Sequence, residues 1–455
     1  MSPFSSLGTI LIVALSGFLV GFDGSLFTGA VVFVKGRFEL TSFEIGWAVV
    51  SQTLTATLAI FLAGPLADRV GRRTVLRLAA VVFAVSALVA AAASNFGMLI
   101  LARMLSGLGV GAVLVAAPMY IAEISPPALR GRMVTFNQLF IVSGIFLAFS
   151  SNFLIVKLTD LPPDAYWRWM LGLGALPAVA YLFALLAVPE SPRWHAMHGR
   201  FEAARRILTR AHGAAFAEAE LAEVRASVAQ PGNRRKAGFR DLWGPRLRGV
   251  LAIGLIVAVL QQITGINSVL AYATVIFQRV AADGTAADAS FMQTMLVGLV
   301  NLVFTVLALL LIDRVGRRPL FLFGTAGMAI SLLVTAAGFH GAEGVMSPGW
   351  VLAGLLGFVA SFAASLGPGM WVLLSEIFPN RVRGIAISFV GLVNSSVCTV
   401  VQLLFPWQME RFGGASTFLI YAVFALLGLA LLVKLLPETR GRSLEELEDS
   451  LVRHS

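Results

Sequence analysis

Charge is what this 455-residue chain has least of. Asp, Glu, Lys and Arg make up only 13% of it, against about a quarter in an ordinary soluble domain. Hydrophobic residues make up 58% and mean hydropathy is +0.86. A water-soluble globule could not cover that much apolar surface, so soluble enzymes and nucleic-acid binders are excluded. Cysteine is nearly absent. Cys398 stands alone in an apolar stretch, which excludes an intrachain disulfide. The five histidines (His195, His198, His212, His340 and His454) fall in loops, at span ends or in the tail. They are too scattered for a metal site, and none lies at a depth where it could relay protons across a membrane. No metal or cofactor is expected.

What the chain does have is long apolar runs. Broken at charges and Gly/Pro clusters, they give twelve spans: 7–34, 43–66, 74–94, 98–122, 133–156, 167–188, 248–277, 291–312, 319–340, 348–375, 384–408 and 414–436. In a bilayer every backbone polar group needs an internal partner, and no run alternates as a barrel strand would, so the spans are predicted to be helices. The expected class is an all-α membrane protein of twelve transmembrane helices in two six-helix halves. Its expected parts are 1–188, a cytoplasmic linker 189–247, 248–436 and a tail 437–455. Within the linker, Ala/Arg/Glu-rich residues 201–228, with Glu202 and Arg206 four apart, predict short surface helices. A basic patch follows at Arg234, Arg235 and Lys236.

The net charge of +10 needs no nucleic-acid partner. With the N-terminus inside, the short inner loops carry 11 basic residues and the outer loops 6, before the 12 of the central segment are counted. This asymmetry places both termini in the cytoplasm. No basic residue precedes Lys35, so residues 1–30 are expected to be a retained helix rather than a signal peptide.

The chain also repeats itself. Asp68-Arg-Val-Gly-Arg-Arg73 returns as Asp313-Arg-Val-Gly-Arg-Arg318. Glu123-Ile-Ser-Pro with Arg130-Gly131 returns as Glu376-Ile-Phe-Pro with Arg383-Gly384. Six spans per half make the repeats parallel.

Every basic residue but one falls outside the spans or close to a span end. The exception is Arg103 in the fourth span, and among the acids only Asp23, in the first, lies deep. Asp23 is roughly 16 Å and Arg103 roughly 8 Å from the outer ends of their spans at 1.5 Å per residue, a gap a guanidinium can largely close. Charge within a membrane costs at least about 2.5 kcal/mol and is usually functional. Low dielectric disfavours the ionised carboxylate and a neighbouring guanidinium favours it, so a balanced group can exchange a proton. The bland alternative is a permanent ion pair that only fixes helix packing.

Neutral amides form the second group of candidates: Gln138, Gln261, Gln262, Asn267, Asn301 and Asn394, with Trp371 after Gly367-Pro-Gly369. Amides donate and accept, which suits neutral, hydroxyl-rich ligands, and an indole face suits the C–H face of a sugar ring. Gln261 and Asn267 lie about 240° apart on a straight helix. Gly265 is the expected unwinding point that would let both face one ligand. Amides within spans also serve as glue between helices.

These motifs resemble the sugar porters of the major facilitator superfamily, particularly bacterial proton-coupled xylose and hexose symporters. Pro118-Met-Tyr-Ile-Ala-Glu-Ile124, Pro189-Glu-Ser-Pro-Arg193, Gln261-Gln-Ile-Thr-Gly-Ile-Asn267 and Pro437-Glu-Thr-Arg-Gly441 add to the resemblance, which covers essentially the whole chain. That superfamily is itself the type case of parallel repeats, which place a substrate site between the halves at mid-depth. The resemblance implies that Asp23 carries the coupling proton with Arg103 as its partner. It implies that the seven polar residues above contact sugar. It also implies that Asp68, Arg72, Glu123 and Arg130, with Asp313, Arg317, Glu376 and Arg383, form an inner gate network. Ser395 stands where many members have Trp, and Ala271 where Tyr is frequent; both enlarge the pocket. The expected function is proton-coupled uptake of a monosaccharide by a monomer in the cell membrane, with sugar, proton and lipid as partners. The alternatives are a facilitative sugar or inositol carrier and a non-transporting sugar sensor, for which residues 437–455 make a short signalling tail.

Overall fold

A computed structural model describes residues 6–126, 130–229, 239–244, 247–280, 287–340, 347–379, 382–436 and 438. The basic patch 234–236 and the tail other than Glu438 lie outside the described residues, as do the side chains of Arg130 and Asp313.

The described residues are helical throughout their ordered elements. In chain order these are α1 (Ser6–Arg37), α2 (Ser42–Val70), α3 (Arg72–Ala91), α4 (Phe96–Ile124), α5 (Arg130–Leu158), α6 (Pro163–Gly172), α7 (Ala175–Ala184), α8 (Pro192–Met197), α9 (Phe201–His212) and α10 (Ala214–Ala229). After a short 3-10 turn, Phe239–Trp243, come α11 (Arg248–Ile263), α12 (Ile266–Val280), α13 (Ala287–Val315), α14 (Arg317–His340), α15 (Pro348–Ala363), α16 (Leu366–Ile377), α17 (Arg383–Arg411) and α18 (Gly413–Leu435). Eleven helical stretches are long and apolar enough to cross a membrane, counting α11–α12 and α15–α16 as one each. Their outer faces keep large apolar side chains uncovered by protein: Leu62 is 69% exposed, Leu310 65% and Phe323 78%. Lipid is the solvent that makes such faces favourable.

The sixth predicted span is not among these eleven, because it divides into the ten-residue helices α6 and α7. The turn residues Leu173 and Gly174 keep right-handed helical dihedrals (φ −57°, ψ about −25°). Pro177 has no N–H to return to the Leu173 carbonyl, so the hydrogen-bond ladder is interrupted while the helical dihedrals continue.

Local chemistry accounts for several helix starts. Thr41 and Glu44 form a reciprocal capping box at α2: the Thr41 N–H donates to Glu44 Oε2 at 2.9 Å, and the Glu44 N–H to Thr41 Oγ1 at 3.3 Å. Asn95 Oδ1 accepts the Met98 N–H at the start of α4. The repeated Asp-Arg-Val-Gly-Arg-Arg segments share one backbone shape, with Gly71 at φ 100° and Gly316 at φ 99°, each followed directly by a helix.

The chain forms two compact units. One is Met1–Phe38 with Ser51–Arg235; the other is Glu39–Val50 with Lys236–Ser455. In the first unit α1 packs mainly on α5, and α3 on α4, α6 and α7. In the second, α11 packs on α17, and α14 on α15 and α18. The internal repeat is therefore a repeat of packing as well as of sequence. Helices α8–α10 belong to the first unit, around a small core of Ala196, Ala204, Leu208, Ala217 and Leu221. One close approach matters for the site. A Cβ on Gly107 of α4 would lie 1.9 Å from Thr55 Oγ1 and 2.3 Å from the Gln52 carbonyl oxygen. Only glycine lets α2 and α4 meet at that level.

Candidate functional site

In the first unit the deep carboxylate, on α1, is held by donors from two neighbouring helices. Gln52 Nε2, from α2, donates to Asp23 Oδ2 at 2.6 Å and to Ser106 Oγ at 2.7 Å. Ser106 Oγ, from α4, donates to the same Asp23 Oδ2. Arg103 lies one turn before Ser106 on α4, and Phe27 one turn after Asp23 on α1. The Arg103 guanidinium, on a residue 5% exposed, stands 4.4 Å from the centre of the Phe27 ring, a cation–π contact. It is near enough to attract the Asp23 carboxylate electrostatically. Helices α1 and α4 thus meet at both residues singled out from the sequence. The carboxylate, however, takes its hydrogen bonds from two neutral donors, and the guanidinium rests on an aromatic face one turn away.

In the second unit four of the predicted amides form one network. Gln262 Nε2 donates to Gln261 Oε1 at 3.2 Å and to Asn394 Oδ1 at 3.1 Å. Asn267 Nδ2 donates to Gln262 Oε1 at 2.6 Å. Asn394 Nδ2 donates to Gln261 Oε1 at 2.9 Å and to the Ala258 carbonyl at 2.9 Å. The break between α11 and α12 makes this possible. Thr264 ends the first helix, and Gly265 takes φ 85°, a left-handed conformation that costs glycine little. Asn267 thereby returns to the face of Gln262.

The break in the tenth span lies slightly earlier than Gly367-Pro-Gly369. It is at Ser365 (φ −134°, ψ −92°), and α16 restarts at Leu366. Pro368 then sits in the first turn of α16, where a missing N–H costs nothing. Gln261 Nε2 donates to the Leu366 carbonyl at 2.9 Å, tying α11 to this restart. Trp371, on α16, is 46% exposed, and a Cβ added at Gly391 would lie 3.6 Å from its ring. Asn301, 5% exposed on α13, makes no side-chain hydrogen bond among the described residues. The same holds for Gln138, half-buried on α5 in the first unit. Asn301 thus stays outside the network of its own unit.

An arginine–carboxylate cluster also appears once in each unit. Arg72, 2% exposed, donates from Nε and Nη2 to Glu123 Oε1 at 3.2 and 3.0 Å, from Nη2 to Asp68 Oδ1 at 2.8 Å, and from Nη1 to the Ala67 carbonyl at 2.9 Å. Arg317 Nη2 donates to Glu376 Oε1 at 2.8 Å. Arg383 Nε donates to the Phe378 carbonyl at 3.1 Å. Arg72→Ala leaves Glu123 without its cation. Removing one partner of a buried pair costs about 3–5 kcal/mol, so the thermal unfolding midpoint in detergent is expected to fall by several degrees. An unchanged midpoint would contradict this reading of the contact.

The structure adds residues that the sequence reading left out. Gln52 and Ser106 are two. Gln402 is a third: its Nε2 donates to the Asn267 carbonyl at 3.3 Å. Glu190 and Glu438, in the repeated Pro-Glu motifs, are a fourth and fifth. Glu190 Oε1 accepts the Arg73 N–H at 3.0 Å, and Glu438 accepts the Arg317 and Arg318 N–H groups at 3.2 and 3.1 Å. Each carboxylate caps the positive N-terminus of the helix after the left-handed glycine. Ser191 donates to Glu123 Oε2, which joins the same motif to the arginine cluster. The signal for the glutamates was present in the repetition, since Pro189-Glu190 and Pro437-Glu438 each close a half. Beside Glu190, burial pushes the His195 imidazole below its ordinary value, which keeps it neutral at pH 7.

Two units of membrane-length helices with matching internal packing, one with a deep carboxylate and the other with an amide network at a broken helix, define a membrane transport protein. Comparison with known proteins makes the assignment specific. A family profile described as "Sugar (and other) transporter" matches residues 9–451, and the chain belongs to that family. It is 36% identical to an arabinose-proton symporter of Bacillus subtilis, over 97% of this chain and 95% of that protein. It is 35% identical to the D-xylose-proton symporter of Escherichia coli K12, over 96% of this chain and 94% of that protein. Among solved structures, the inward-open xylose transporter XylE from E. coli matches with a TM-score of 0.82 at 31% identity, covering 97% of this chain and 98% of that one.

Proposed function

We propose that this protein is a proton-coupled monosaccharide symporter of the cell membrane, working by alternating access. The observation that carries the reading is Asp23, a carboxylate deep in a span, held by donors from two neighbouring helices with Arg103 close by. A permanent structural ion pair would call for the guanidinium directly on the carboxylate. Here Asp23 is hydrogen-bonded by neutral groups that can release it when a proton arrives. The relatives named as arabinose-proton and xylose-proton symporters support the same reading.

Gln261, Gln262, Asn267, Asn301, Trp371 and Asn394 in the second unit, with Gln138 in the first, are assigned to sugar contact. Their chemistry is neutral, so a substrate with hydroxyls and no charge is the class they fit. The Arg72–Glu123–Asp68 and Arg317–Glu376 clusters, with Arg130, Asp313 and Arg383, are assigned to the inner gate. Both termini are assigned to the cytoplasm and the protein is taken to act as a monomer. One positive charge moving inward at 100 mV supplies about 2.3 kcal/mol, or roughly fifty-fold accumulation. Uptake of radiolabelled arabinose, xylose, glucose, galactose, fructose and inositol into proteoliposomes, with and without an imposed pH step, tests the proposal. At least one aldose is expected to accumulate only with the inside alkaline. Equal uptake with and without the step would leave a facilitator, and no flux at all would leave a sensor.

A further inference from the structure

The two donors on Asp23 have a consequence for how a proton is taken up and released. Oδ2 accepts from Gln52 Nε2 at 2.6 Å and from the Ser106 hydroxyl, while Gln52 also bonds Ser106 at 2.7 Å. The three groups close a triangle across α1, α2 and α4. Charge-assisted hydrogen bonds of this kind favour the ionised carboxylate over the acid. They also occupy both lone pairs of Oδ2. A proton on the other oxygen, Oδ1, leaves Oδ2 a neutral carbonyl oxygen that accepts both bonds more weakly than the carboxylate does. The Ser106 hydroxyl can rotate to a carbonyl one turn back, a partner serine commonly takes inside a helix. The Gln52 amide cannot turn away without also leaving Ser106.

We infer that Gln52 and Ser106 are positioning residues that set the proton affinity of Asp23, favouring its ionised form and so returning it to that form when the proton leaves inward. The inference rests on the reading of Asp23 as the proton carrier. Among the charged and titratable groups on helices packed against α1, Arg103 on α4 is the one that acts on Asp23. Tyr181 on α7 bonds the Val13 carbonyl, Arg168 on α6 bonds the Ala91 carbonyl, Asp164 on α6 pairs with Arg37, and Lys157 on α5 stands over Phe153. The neutral donors are therefore the adjustable part of the Asp23 environment.

The test uses the full-length protein in proteoliposomes with Ser106→Ala and Gln52→Met, each lacking one donor. Removing a donor makes the proton bind more tightly. The alkaline limb of the pH profile of net uptake is expected to move upward by about one pH unit, a tenfold change in proton affinity. Net uptake should also fall more than sugar exchange, because exchange does not require the proton to leave. Ser106→Thr, which keeps the hydroxyl, should restore the parent profile. A parent-like profile in both donor-lacking variants, with net uptake and exchange falling together, would overturn the inference and leave the pair as packing. The donors come from different helices, so failure of one variant to fold leaves the other to decide. Asp23→Asn, run alongside, separates the two levels. If it still accumulates sugar, the proton-carrier reading itself fails; if it does not while the donor variants keep the parent profile, only this inference fails.

Discussion

Asp23→Asn is expected to abolish accumulation of sugar against its gradient while leaving sugar exchange within a few-fold of the parent. Asparagine has nearly the shape of aspartate, and its carbonyl oxygen can still accept from Gln52 and Ser106. What it cannot do is take up a proton. The neutral amide resembles the protonated acid, so the variant should cycle with sugar but gain nothing from a pH step. At 100 mV the accumulation ratio should drop from roughly fifty-fold to one. Uptake driven by a pH step, compared with equilibrium exchange in the same vesicles, reads both quantities. Retained accumulation would sink the coupling role of Asp23.

Gln262→Leu carries the second large effect, in the second unit. Gln262 is the hub of the amide network, donating to Gln261 and Asn394 and accepting from Asn267. Leucine fills a similar volume and satisfies none of them. A buried polar group left without its partner costs about 1–3 kcal/mol, so the sugar concentration for half-maximal uptake should rise about ten- to hundredfold. The pH profile of uptake should stay with the parent, because the proton group lies in the other unit. A normal half-saturation value with an intact network elsewhere would place sugar binding at other residues.

How much of this was legible in the sequence depends on the kind of signal. The helices were, because apolar runs in a chain with 13% charge admit little else. The internal duplication was, because Asp-Arg-Val-Gly-Arg-Arg recurs intact, and the structure repeats both its left-handed glycine and its packing partners. The broken seventh span followed from rotation alone: two amides on opposite faces of a straight helix, with a glycine between them.

Other features were hidden for identifiable reasons. Gln52 sits in a Ser-Gln-Thr run and Ser106 among glycines, so both read as ordinary polar packing. Nothing in one dimension states that they converge on Asp23; the close approaches at Gly107 and Gly111 bring their helices together. The tenth span was expected to break at Gly367-Pro-Gly369 and breaks at Ser365, because proline is tolerated in a first helical turn. The division of the sixth span had its signal in Pro177, whose effect is a single missing hydrogen bond. Asn301 resembles the other amides in the sequence, yet the structure leaves it outside the network of its own unit. A shared residue type within membrane spans does not by itself place side chains in contact.

The central claim is that sugar and proton cross together. The most direct measurement is the external pH of weakly buffered proteoliposomes, held free of membrane potential, when a transported sugar is added outside. The account predicts alkalinisation that begins with the sugar, at one proton per sugar as expected for a single carboxylate. It should be absent in Asp23→Asn. Sugar entry of normal rate with a flat pH trace would contradict it.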